Sequence, residues 1–104
     1  MSNETVTRFP IVDVLPHALD RLCERYPALC RGKGRADLRQ AVATACAVGV
    51  RFVAVRDNGA AQYHVPSLQI DVIARKCGMV WEIRTIPDQR SKKDPVYYHD
   101  VMRR

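Results

Sequence analysis

The chain reads as a single α+β domain, a small antiparallel sheet of about three strands built around a central Asn-Gly hairpin and covered by three or four helices. Three observations carry that expectation. Asn58-Gly59 stands between two β-patterned runs, apolar residues recur at helical spacing in separate segments, and glycines and prolines punctuate the boundaries. A length of 104 residues leaves room for one core. Residues 1–104 therefore form one domain, with residues 1–12 an arm or edge strand and residues 88–94 a mobile loop.

Residues 5–12 are rich in β-branched side chains and run into Pro10, as a short edge strand or an extended arm does. Asp13 then caps a helix whose first turn accepts Pro16. Leu15, Ala18, Leu19, Leu22, Cys23 and Tyr26 form its apolar face, and it ends before Pro27. Gly32 and Gly34 mark residues 27–35 as a connecting loop. A second helix begins at about Asp37, carries Leu38, Ala41, Val42, Ala45 and Cys46 on one face, and stops at Gly49.

Residues 50–56 are apolar on both alternating faces, the pattern of a strand covered on each side. Asn58-Gly59 supplies the positive φ angles of a two-residue turn, and residues 60–65 return as the second strand, closed by Pro66. Ser67 is placed to cap a third helix with Leu68, Ile70, Ile73, Ala74 and Cys77 on its face and Gly78 at its end. Met79, Trp81 and Ile83 alternate with Val80, Glu82 and Arg84 as a strand that Pro87 stops. After a polar stretch at residues 88–93, Asp94-Pro95 starts a last helix, docked by Tyr97, Tyr98, Val101 and Met102 and ending in Arg103 and Arg104.

Hydrophobic residues make up 47% of the chain and charged ones 27%, which is globular rather than disordered composition. A domain this short buries a modest share of its surface, so a homodimer would help. Seventeen Lys and Arg face eleven Asp and Glu, and the net charge of +6 favours anionic partners. The excess is concentrated at Arg21, Arg25, Arg31, Lys33, Arg35 and Arg39, against Glu24 and Asp37 in the same span. No apolar run approaches the roughly 20 residues that cross a bilayer, so no membrane role is expected.

The first residues lack the charged and apolar blocks of a signal peptide, and a reducing cytoplasm is the expected location. Cys23, Cys46 and Cys77 fall on the apolar helix faces as small hydrophobes; with Cys30 they form no CxxC, and no CxxH or HxxxH occurs either. Neither a metal nor a cofactor is expected.

The sharpest candidate site is Arg31-Gly32-Lys33-Gly34-Arg35, followed by Arg39 one turn into the next helix. Glycines let the backbone approach an anion, cations neutralise phosphate, and the helix N-terminus directs donors to it. The nucleotide-loop spacing GxxxxGK[ST] is absent, and a solvated interhelical loop explains the same residues. A second constellation, Arg51, Arg56, Tyr63, His64 and Arg84, would share or border one sheet surface if the register brings it together. Cations beside an aromatic ring hold phosphates and stack bases, and ordinary surface residues fit the pattern equally. Tyr97-Tyr98, near Lys92, Lys93, Arg103 and Arg104, makes a third feature, for nucleic acid, a protein interface or the docking of its own helix.

Other chemistry finds little support. His17 and His99 have no companion at a suggestive spacing, and Asp13, Asp20, Asp71, Glu82 and Asp100 show no paired arrangement. A helix-turn-helix around Ala74 and Gly78 fails because a strand pattern follows where the recognition helix belongs. The leading expectation is a small nonenzymatic accessory or regulatory protein that binds nucleic acid or a nucleoprotein complex through its basic surface. The second is a small inhibitor, of phage or plasmid type, acting by protein–protein binding. The third is a ribonuclease of the toxin type, with His64 as general acid or base and an Arg stabilising the phosphorane-like charge, by analogy with toxins whose element order this chain does not clearly match.

Overall fold

The computed structural model describes residues 7–87. The chain runs β1 (Val12–Val14), α1 (Pro16–Arg25), α2 (Pro27–Cys30), α3 (Arg35–Val48), β2 (Arg51–Val55), β3 (Ala61–Val65), β4 (Ile70–Cys77) and β5 (Val80–Thr85). The strands form one sheet in the order β1-β5-β4-β3-β2. β1 runs parallel to β5 and every other pair is antiparallel. The expected antiparallel sheet of about three strands under three or four helices is therefore corrected to a five-stranded mixed sheet with three helices among the described residues. The α+β class itself is compatible with this architecture.

Two local misreadings account for the missing strands. The helix expected from Ser67 to Cys77 is β4 instead, with Ile70, Val72 and Ala74 on one face and Asp71, Ile73 and Arg75 on the other. Its turn carries no Gly or Asn to announce it. Gln69 takes the left-handed conformation itself, at φ 58°, and its backbone N–H donates to Val65 O at 2.8 Å. Gly78 has the positive φ expected of a helix stop, 64°, but spends it on the tight turn between β4 and β5. At the other end, Asp13 belongs to β1, so Leu15 precedes α1 and Pro16 occupies its first turn. Three residues are too few to display an alternating pattern, and their partner β5 lies far along the chain.

The hairpin of β2 and β3 forms with left-handed φ at Asn58 (61°) and Gly59 (77°). Three residues, Asp57–Gly59, close it, with Arg56 N–H donating to Ala60 O at 2.8 Å. It lies at the sheet margin rather than the centre, because among the described residues β2 pairs along its length with β3 alone. That position explains why Phe52 (56%) and Val55 (76%) are exposed, where cover on both faces was expected.

α1 and α3 pack on one face of the sheet, and their buried residues keep the expected helical spacing: Ala18, Leu19 and Leu22, then Leu38, Val42, Ala45 and Cys46. They meet Val65, Ile70, Val72, Ala74 and Ile83 in the core. Phe9 is fully buried, stacks on Trp81 with ring centroids 4.1 Å apart, and meets the edge of Tyr63 at 5.0 Å. Among the described residues no helix is long and apolar enough to cross a membrane. Residues 1–6, the polar stretch at 88–93 and the expected last helix, with Tyr97, Tyr98, His99, Arg103 and Arg104, lie outside the described residues.

Candidate functional site

Alternation along β3 divides its side chains between the two sides of the sheet. Tyr63 and Val65 turn toward the helices, and Gln62 and His64 turn away. His64 stands directly opposite Asp71 on β4 and Arg51 on β2, so these three share the face that the helices do not cover. A bulge between Phe52 and Ala54 shifts the register of β2. It brings Arg56 to the same face, where its Nη1 donates to Gln62 Oε1 at 2.9 Å.

Asp71 organises this face from below the surface. Its side chain is 1% exposed; Oδ2 accepts from Gln62 Nε2 at 2.7 Å, and Oδ1 pairs with His64 Nδ1 at 2.8 Å. A carboxylate accepts and cannot donate, so Nδ1 carries a ring hydrogen, and in the uncharged form of the ring the lone pair lies on Nε2. No group among the described residues hydrogen-bonds to Nε2, and the ring keeps 27% of its surface in solvent. A ring held this way can accept a proton through Nε2 when the imidazole is neutral.

Around it lie further charged side chains. Arg75 projects from β4 on the Asp71 side, and a Cβ on Gly59 would lie 3.8 Å from its Nε, which places the guanidinium stem beside the hairpin turn. Across the sheet Arg75 stands opposite Glu82, and Glu82 opposite Asp13. The face thus carries cations over β2 to β4, while on β5 Glu82 is matched by Arg84 at 3.1 Å and Asp13 lies beyond it on β1.

The structure separates the expected residues. Arg51, Arg56 and His64 come together; Tyr63 turns to the other side and is enclosed by Phe9, Phe52 and Trp81. Arg84 pairs with Glu82 at 3.1 Å. Arg31 and Lys33 are exposed in the connection between α2 and α3, on the helix side of the sheet. Next to them Arg35 pairs with Asp20 at 2.9 Å and reaches Pro16 O at 3.3 Å, while Arg39 donates to Val14 O at 3.4 Å. The two basic features therefore occupy opposite sides of the molecule.

Comparison with protein-family models, with curated proteins and with solved structures finds no match to this chain. The chemistry has to come from the side chains themselves. Gln62, Asp71 and Arg75 are the residues that sequence reasoning missed. A period of two over residues 70–75 would have put Asp71 and Arg75 on one face, but the helical reading of that segment hid it.

Two of the cysteine thiols are held well above the usual range. Burial pushes the Cys46 thiol up to about 12. Burial, then a hydrogen bond with Cys23, pushes Cys30 up to about 11. Cys77, expected on a buried helix face, is exposed at the end of β4. Among the described residues no three His, Cys, Asp or Glu side chains group as a metal site.

Proposed function

We propose that this chain binds nucleic acid, holding the phosphate backbone against the β2 to β4 face through Arg51, Arg56 and Arg75. The supporting observation is that Arg51 of β2, Arg75 of β4 and Arg56 just beyond β2 lie on the same side of the sheet as His64, Arg51 directly opposite it and Arg75 beside the hairpin turn. The Asp71 carboxylate on this face is buried and accepts from Gln62 and pairs with His64. Arginine suits this work because its planar fork meets phosphate oxygens two at a time. The overall charge of +6 adds long-range attraction. Arg31 and Lys33 form a weaker, separate contact on the helix side. The partner is nucleic acid, free or within a nucleoprotein complex.

Fluorescence anisotropy with labelled single-stranded RNA and DNA over a salt series tests the reading. Replacing Arg51 and Arg75 together by Ala should weaken binding about tenfold or more and lower the salt slope by about 1.4, two phosphate contacts' worth. The pair Arg31→Ala and Lys33→Ala removes the same charge and should cost less. Equal losses in the two pairs would mean that net charge alone binds and that this face has no special part.

A further inference from the structure

We propose that the same face cleaves RNA, with His64 as the general base that activates the 2′-hydroxyl. The inference rests on the binding reading above and goes beyond it by assigning a reaction. RNA carries its own nucleophile one atom from the sugar ring, so cleavage requires no metal and no cofactor. It requires a base for the 2′-hydroxyl proton and positive charge for the oxygens of the phosphorane.

Both lie on this face. Asp71 holds Nδ1 of His64 at 2.8 Å, which fixes the tautomer and the ring plane and leaves Nε2 as the proton acceptor. Burial is unequal between the partners, the carboxylate 1% exposed and the imidazole 27%. A buried carboxylate holding one nitrogen of a solvent-facing ring leaves the other nitrogen accessible, which is the arrangement proton transfer uses. Arg51 stands directly across the strand pair from His64, within reach of the same phosphate. Arg56 is held in place through Gln62.

In the reaction Nε2 takes the 2′-hydroxyl proton as the 2′-oxygen bonds to phosphorus. The bond from phosphorus to the 5′-oxygen breaks, and that oxygen takes a proton from water. The hydroxide left behind recovers the proton from His64. The products are a 2′,3′-cyclic phosphate and a 5′-hydroxyl, with no change in oxidation state. Asp71 and Gln62 are positioning residues, since neither touches the RNA.

Single-turnover cleavage of a labelled single-stranded RNA is measured with protein in saturating excess and with EDTA present, beside the DNA of the same sequence. Wild-type protein should cut the RNA to cyclic-phosphate ends, identified by mass spectrometry, and leave the DNA intact. His64→Asn keeps an amide donor near the Nδ1 position for Asp71 but lacks Nε2. Its rate at saturation should fall about 100-fold or more. Arg51→Ala, at an exposed position, should fall about tenfold and serves as the second variant should His64→Asn melt early. RNA that binds wild-type protein but stays uncut overturns cleavage and leaves the binding reading standing. RNA that does not bind at all removes both. Cutting undiminished in His64→Asn assigns the activity to another base and overturns the proposal.

Discussion

A carboxylate drawn almost wholly out of water needs donors at its oxygens, and Asp71 finds them in the Gln62 amide and the His64 ring. Gln62 has one orientation only, because its Nε2 must face that carboxylate while its Oε1 faces the Arg56 guanidinium. Order at the exposed end of the chain is thus transmitted inward through hydrogen bonds. Asp71→Asn keeps the volume but turns one acceptor into a donor aimed at another donor. Urea denaturation should show a loss of about 1–3 kcal/mol. An unchanged midpoint would mean that the network relaxes around the amide and does not hold His64.

At the scale of elements, the turns decide what the strands become. β4 is joined to β3 through Gln69 and to β5 through Gly78, both in the left-handed region. Gly78 has open space around the position of a Cβ, so a methyl group there meets no neighbour and only the backbone conformation resists it. Gly78→Ala should therefore cost about 1 kcal/mol from strain alone. Gly34→Ala, also in open space but without a positive φ, should change stability by less than about 0.5 kcal/mol. Thermal unfolding of the two variants side by side separates strain from crowding, and equal melting points would show that the β4–β5 turn adapts.

For the molecule as a whole, the sheet is a partition. Helices and aromatic rings occupy one side, and the charged side chains of Asp13, Glu82 with its partner Arg84, Arg75, Arg56 and Arg51 occupy the other. Stability should follow the same geometry. Ile83 is fully buried on β5, between β1 and β4, and Ile83→Ala should cost about 2–5 kcal/mol. Val55 ends the outermost strand and is 76% exposed, so Val55→Lys should fall within about 0.5 kcal/mol of wild type. It also blunts an apolar sheet edge. Comparable losses at the two positions in chemical denaturation would contradict the placement of β2 at the margin.

What the amino-acid sequence determined by itself was whatever depends on neighbours a few residues apart. The apolar spacing of Leu19 and Leu22, and of Leu38, Val42 and Cys46, is enough to predict α1 and α3. Asn58-Gly59 is enough to predict a hairpin, since few residues accept positive φ in succession. Tertiary structure alone decided that Ile70–Cys77 is a strand, because Ile70 and Ile73 suit a helix face as well as two sides of a sheet, and pairing with β3 and β5 settles the choice. It alone joined β1 to β5 across most of the chain. The candidate site followed from the same register: His64, Arg51 and Arg56 were visible in the sequence as residues, while Asp71 and Arg75 became their neighbours only when β4 paired with β3. Local preference encodes elements, and the burial of two faces at once chooses among the ways they can pair.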